Sequence, residues 1–383
     1  MGYPKVIAFY LPQYHPIPEN DEWWGKGFTE WTNVGKAKPL FKGHYQPKVP
    51  GDLGYYDLRV PEVREEQAKL AKEAGIYGFC YWHYWFGNGK KILDRPFREV
   101  LESGKPDFPF CLGWANHDWT NKTWEAAAKK VNEQILLKME YNEEEYIKHF
   151  YDILPALKDE RYIKIDDKPV FVVFRPLEIP DPKLFIDLWN KLAIENGLKG
   201  IFFIGIQHNM LPSDRTIRNF IFKNAGDNSK QLYDEVIKAG FDAVNSRGFN
   251  RADYYSIPFW KMIWSKISIN ILKKKPLSIC NQNKINKHLY VGEDKRNDVF
   301  PTLIPNWDRT PRSGRQARIY VDSTPEVFDK QIQNVKELLQ DKVDSRKYVF
   351  LMSWNEWGEG NYVEPDLKYG KGYLNVLKKN LAE

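Results

Sequence analysis

The chain of 383 residues predicts an α/β fold, a (β/α)8 TIM barrel. Three observations carry that prediction. Short apolar runs recur eight times, the segments between them have helical periodicity, and polar or aromatic side chains gather just after most of the runs.

The runs occupy residues 6–11, 77–85, 108–114, 170–174, 201–206, 241–244, 299–305 and 348–354. They are rich in β-branched or aromatic residues and do not alternate with polar ones, the pattern of parallel strands buried on both faces. One helix is predicted to start at Arg59-Val60-Pro61-Glu62, with an acid in its first turn, and to stop at Ala74-Gly75. Another is predicted from Thr324-Pro325-Glu326-Val327, with Thr324 as N-cap and Pro325 in the first helical position. A doubly wound sheet would need a phosphate-cradling Gly-rich loop after the first strand. Pro12-Gln13-Tyr14-His15-Pro16 stands there and cannot serve as one. The whole chain, 1–383, therefore reads as one catalytic barrel.

Hydrophobic residues make up 42% of the chain, enough for a sizeable core. Aromatic residues reach 15%, more than a core ordinarily uses, which suggests a ligand surface built of rings on which sugar C–H faces stack. The cysteines, Cys80, Cys111 and Cys280, fit neither a disulfide framework nor a zinc site. Cys80 and Cys111 lie in apolar runs and are expected as buried thiols, which implies a reducing, cytoplasmic compartment. The N-terminus enters its first strand with no secretory signal pattern. No apolar stretch reaches the roughly 18 residues of a membrane span. No metal or organic cofactor is implied, and the oligomeric state is not visible.

A basic insertion near 250–298, with its core at 254–298, interrupts the β–α rhythm. Between Arg247 and Asp298 there are 11 Lys/Arg and 4 Asp/Glu, a net of +7 against +6 for the whole chain. On a helix, Trp260, Ile263, Trp264, Ile267 and Ile271 would share one face, with lysines elsewhere. This suits peripheral contact with an anionic membrane through 257–275, or a lid flanking the barrel. Nucleic acid is not the expected partner, because the basic patch is confined and has no recognisable module.

In a barrel of this kind, residues just after each strand face the catalytic mouth. Those positions supply Tyr10, Gln13 and His15; Trp82, His83, Tyr84 and Trp85; Trp114, Asn116, His117, Asp118 and Trp119; Arg175; Gln207 and His208; Asn306, Trp307, Asp308 and Arg309; and Asn355, Glu356 and Glu359. Individually, each has a plainer reading: His83 as a satisfied core histidine, Arg175 as partner of a structural carboxylate, Asp308 and Arg309 as a loop salt bridge. The most informative stretch is Ser353-Trp354-Asn355-Glu356-Trp357-Gly358-Glu359-Gly360. It sets two carboxylates three residues apart among tryptophans, as cleavage or transfer of a glycosidic bond requires. We take Glu356 and Glu359 as candidate catalytic residues. The candidates for binding substrate are Tyr10, Gln13, His15, Trp82, His83, Tyr84, Trp114, Asn116, Arg175, Trp307, Asp308, Arg309, Asn355 and Trp357.

The chain resembles the WbsX-like family over nearly its whole length. The resemblance rests on Ala8-Phe9-Tyr10-Leu11-Pro12-Gln13-Tyr14-His15-Pro16, Trp23-Trp24-Gly25-Lys26-Gly27-Phe28-Thr29-Glu30-Trp31, Gly78-Phe79-Cys80-Tyr81-Trp82-His83-Tyr84-Trp85, Pro305-Asn306-Trp307-Asp308-Arg309-Thr310-Pro311-Arg312, and Trp354 to Gly360 with Glu364-Pro365-Asp366. That family is labelled glycosyltransferase from its place in bacterial surface-polysaccharide clusters, yet it is similar to glycoside hydrolase family 99, the endo-α-mannosidases and mannanases. The resemblance implies a retaining (β/α)8 enzyme. It implies that Glu356 deprotonates the substrate 2-hydroxyl, whose oxygen attacks C1 to give a 1,2-anhydro sugar. It implies that Glu359 protonates the leaving oxygen and later activates water. His117-Asp118-Trp119 departs from the family's pattern.

The expected function is thus a retaining glycoside hydrolase acting on an α-linked bacterial surface polysaccharide or oligosaccharide. The alternative is a glycosyltransferase or transglycosylase in O-antigen or capsule assembly. A catalytically dead carbohydrate-binding barrel is disfavoured by the presence of both glutamates. The two roles need opposite protonation, so the site is expected to push the two pKa values apart, with the indoles of Trp354 and Trp357 raising one of them.

Overall fold

The computed structural model describes residues 3–121, 134–207, 228–271 and 276–381. Eight parallel strands form its centre: β1 (Lys5–Tyr10), β2 (Gly78–Gly87), β3 (Phe110–Trp114), β4 (Lys168–Val173), β5 (Phe202–Gln207), β6 (Ala243–Ser246), β7 (Val299–Leu303) and β8 (Tyr348–Leu351). Each pairs with the next, and β8 pairs with β1 (Ile7 beside Phe350), so the sheet closes on itself. All eight predicted runs are strands, and no strand end differs from its predicted position by more than three residues.

The strands are buried on both faces, which explains the unbroken apolar runs. Inside the barrel Phe9 stacks on Trp82 and on Phe350 at centroid distances of 4.7 and 5.1 Å. Outside it, helices such as Pro61–Glu73, Glu143–Leu157, Pro182–Glu195 and Pro325–Leu339 cover the strands. The two predicted helix starts hold: Pro61 and Pro325 open their helices, and the Thr324 side chain accepts from the Val327 amide. Cys80 and Cys111 are buried free thiols, side by side in register.

Two excursions shape the mouth. Between β1 and its covering helix the chain runs through short helices Pro18–Trp24 and Glu30–Lys36. The basic insertion after β6 contains helices Phe249–Ser256 and Phe259–Asn270 and a strand, Ser278–Asn281, paired in parallel with Arg318–Val321. Phe249, Ala252, Cys280, Ile285 and Leu289 of this region pack with Ile304, Trp307, Tyr320 and Met352 in a second apolar cluster. The insertion is thereby tied to the mouth of the barrel.

Candidate active site

At the C-terminal ends of the strands lies a cavity of about 490 Å³. Its lining includes the rings of Trp82, Tyr84, Trp119, Phe174, Phe249 and Trp307, and the charged residues Arg175, Arg247, Arg309, Arg312, Glu356 and Glu359. The carboxylates come from the turn after β8, where Asn355–Glu356 pairs antiparallel with Asn361–Tyr362. A short 3-10 turn, Trp357–Glu359, brings the second carboxylate back beside the first.

Backbone geometry makes the glycines of this turn necessary. Gly360 is left-handed at φ 56°, and a Cβ there would lie 2.7 Å from the Asp308 carbonyl oxygen. A Cβ on Gly358 would lie 1.6 Å from Glu30 Oε1. The glycine thus lets Glu30 approach the turn from the β1 excursion.

Arg312 organises the carboxylates. Its Nε donates to Glu30 Oε1 at 2.9 Å. Its Nη1 donates to Glu359 Oε1 at 2.7 Å and to Glu356 Oε1 at 3.1 Å. Because both oxygens contact one nitrogen, they are at most 5.8 Å apart. Arg309 adds a second cation 3.1 Å from Glu359 Oε1.

The two carboxyls are driven apart electrostatically. Burial, then the neighbouring charge of Glu359, pushes the Glu356 pKa up to about 7. Burial also works to raise Glu359, but Arg309 and Arg312 outweigh it and hold this carboxyl below the usual glutamate value. The indoles of Trp354 and Trp357 lie beneath the site rather than in its wall. Both rings are fully buried and absent from the cavity lining. Trp357 Nε1 donates to Glu364 at 2.7 Å.

Half of the predicted substrate-binding and catalytic residues line the cavity: Gln13, Trp82, Tyr84, Arg175, Trp307, Arg309, Glu356 and Glu359. The other eight do not. Tyr10 donates to Gln67, which donates to Glu364. His15 bonds the Pro12 carbonyl. His83 lies 2.9 Å from His149 of helix Glu143–Leu157, and burial pushes it down to about 4, so it is neutral. Trp114 packs on His149 and Phe185. Asn116 joins two loops through the Arg175 backbone, Asp308 accepts from Gln46 and lies 2.8 Å from His44, and Asn355 exchanges two bonds with the Leu11 backbone.

For Tyr10, His83 and Trp114 the physical reason is strand alternation, by which successive side chains point to opposite faces. Phe9, Leu11, Trp82 and Tyr84 face inward, whereas Tyr10 and His83 face the helices. Of the further strand-end positions, His117 and Trp119 line the cavity and His208 lies outside the described residues. Sequence reasoning missed Glu30, Arg247, Phe174, Phe249, Met352 and the organising role of Arg312. Arg312 and Glu30 stood in quoted motifs; Arg247 was counted only as part of a basic segment.

The profile of the family described as Glycosyltransferase WbsX matches residues 6–377. The chain belongs to the WbsX family. It is also 31% identical over 379 residues to a protein of Xanthomonas campestris pv. campestris described as "Uncharacterized protein WxcX", covering 98% of this chain and 49% of that one. The chain thus spans about half the length of the curated relatives it matches. Among solved structures it resembles a glycoside hydrolase-like protein (TM-score 0.59, 16% identity, 100% of this chain and 94% of that one). It also resembles the GH99 endo-alpha-mannosidase from Bacteroides thetaiotaomicron (TM-score 0.55, 14% identity, 100% and 96%). At these identities the likeness is one of fold.

Proposed function

We propose that this chain is a retaining glycoside hydrolase that cleaves an α-linked bacterial surface polysaccharide or oligosaccharide. The observation that carries the proposal is the pair Glu356 and Glu359, held on one arginine nitrogen in a cavity walled by aromatic rings. An inverting pair stands roughly 6.5–9.5 Å apart to admit a water, and a retaining pair is closer. The bound of 5.8 Å on the two Oε1 atoms supports retention.

In this reading Glu356 takes the proton of the substrate 2-hydroxyl. The 2-oxygen then forms a bond to C1 as the glycosidic bond breaks, and Glu359 gives a proton to the leaving oxygen. Water afterwards opens the three-membered ring at C1: Glu359 receives its proton and Glu356 returns the other to O2. The free site carries its proton the other way, on Glu356, because the arginines hold Glu359 ionised. A tightly coupled pair shares its protons, so the active species is the pair carrying a single proton. Substrate selects the working arrangement when the leaving oxygen engages Glu359 and the 2-hydroxyl engages Glu356.

The family description supports a second reading, transfer to a sugar hydroxyl in O-antigen or capsule assembly, with that hydroxyl in place of water. Incubation with bacterial surface glycans, with and without nucleotide sugars, followed by mass analysis, separates the two. Shorter oligosaccharides are expected. Longer products with release of nucleotide would overturn the hydrolase reading.

We further propose peripheral contact with an anionic membrane. Trp260 and Trp264 are 65% and 54% exposed on helix Phe259–Asn270, with Ile267 and Ile271 also exposed. From Tyr254 to Gly292 the chain has seven lysines and no acidic residue. Residues 272–275 of the expected contact lie outside the described residues. No helix of the described residues is long and apolar enough to cross a membrane. The buried free thiols suit a reducing, cytoplasmic setting.

A further inference from the structure

Arg247 has no counterpart in the chemistry above. It follows β6 directly, lines the catalytic cavity and is 4% exposed. Its guanidinium lies over the Phe9 ring at 4.6 Å and within 5.7 and 5.9 Å of the Trp82 and Phe174 rings. Its Nε makes one long contact to Asn245 Oδ1 at 3.4 Å, and its Nη2 is buried with no hydrogen-bond partner.

The other cavity cations are matched. Arg312 holds Glu30, Glu356 and Glu359, Arg309 holds Glu359, and Arg175 holds Glu178 at 2.8 Å. No carboxylate oxygen among the described residues lies within 4.0 Å of Arg247. Burial lowers its pKa only to about 10, so it stays charged at neutral pH. Burying a charge without a partner is strongly unfavourable. Three rings compensate part of that cost, and a site of this kind is completed by an anion from the ligand.

We propose that Arg247 receives the carboxylate of a hexuronate residue in the glycan, so that the substrate is an acidic rather than a neutral polysaccharide. A planar carboxylate matches the guanidinium fork. The charges of Glu356 and Glu359 favour the charged form of Arg247 from a distance, but neither makes a direct ion pair with it, which leaves the buried Nη2 for a monoanion. The inference rests on the cavity being a glycan site. Binding of a free sugar acid tests it without requiring cleavage.

Saturation-transfer NMR on the full chain, with D-glucuronate and D-glucose offered together and then titrated separately, measures the preference. Glucuronate is expected to bind about tenfold more tightly or better, the scale of a charge-assisted contact. Arg247→Met should abolish the preference, and Arg247→Lys, which keeps the charge but not the fork, should retain part of it. Glu356→Gln should stop cleavage and leave the preference intact, which separates this inference from the catalytic reading. Arg247→Gln serves if the Met variant loses its near-ultraviolet circular dichroism. Equal or absent binding of glucuronate, or a preference that survives in the Met or Gln variant, would overturn the proposal. Displacement of glucuronate by inorganic phosphate below glucuronate's own Kd would overturn the carboxylate assignment.

Discussion

The Glu356 and Glu359 side chains differ in one respect that decides their chemistry: the cations near them. Arg309 and Arg312 hold Glu359 ionised, while burial and the charge of Glu359 keep a proton on Glu356 to about pH 7. Glu356→Gln and Glu359→Gln should each lower turnover by about 10²–10⁴-fold, the usual worth of a general acid or base. Calorimetry should show that oligosaccharide binding survives; wild-type turnover in either variant would remove that residue from the mechanism. If the singly protonated pair is active, kcat/KM falls above about pH 7, as Glu356 loses its proton. It also falls in acid below the ordinary glutamate range, as Glu359 gains one. Glu356→Gln should move the upper limb of a measured pH profile into the acid range, where Glu359, which must supply the acid proton, ionises. Glu30 and Arg312 show how much of this escapes a linear reading. They are 282 residues apart and meet at 2.9 Å only because Gly358 leaves room for the Glu30 carboxylate.

Strands explain part of why eight of the fourteen predicted binding residues missed the cavity. An unbroken apolar run announces a strand buried on both sides, but it hides which side each residue faces. Alternation then sends Tyr10 and His83 to the helices, and Trp82 and Tyr84 to the cavity. Amphipathic helix patterning was more legible. Trp260, Ile263, Trp264, Ile267 and Ile271 share a face as expected, and all five are exposed. Apolar burial and attraction for anionic lipid act together on such a helix. The full chain should therefore float with phosphatidylcholine vesicles in which about a third of the lipid is phosphatidylglycerol, and far less with phosphatidylcholine alone. Raising salt from about 0.1 to about 1 M shortens the screening length from roughly 10 to roughly 3 Å and should release it. Equal flotation on both vesicles would dismiss the contact. A second copy of the chain is a poor occupant of this face, since a two-fold contact would set like-charged segments against each other.

A closed barrel brings together at one mouth side chains from both ends of the chain, with Gln13 and Glu359 lining the same cavity. The consequence that belongs to the assembled molecule is stereochemical. The two Oε1 atoms lie within 5.8 Å of each other, closer than the roughly 6.5–9.5 Å of an inverting pair, and the proposed chemistry proceeds with retention. The sugar released first should therefore keep the anomeric configuration of the substrate, as followed by proton NMR before mutarotation. Release of the opposite anomer would reject the proposed chemistry. The order of the eight strands, the helix starts at Pro61 and Pro325, and the candidate carboxylates that line the cavity were all present in local patterns, because propensity and burial act over a few residues. Which strand-end residues face the cavity, the convergence of Glu30, Arg309 and Arg312 on the pair, and the unpartnered Nη2 of Arg247 became visible only in the folded barrel. These depend on strand alternation and on distances between residues far apart in the chain, which local pattern does not encode.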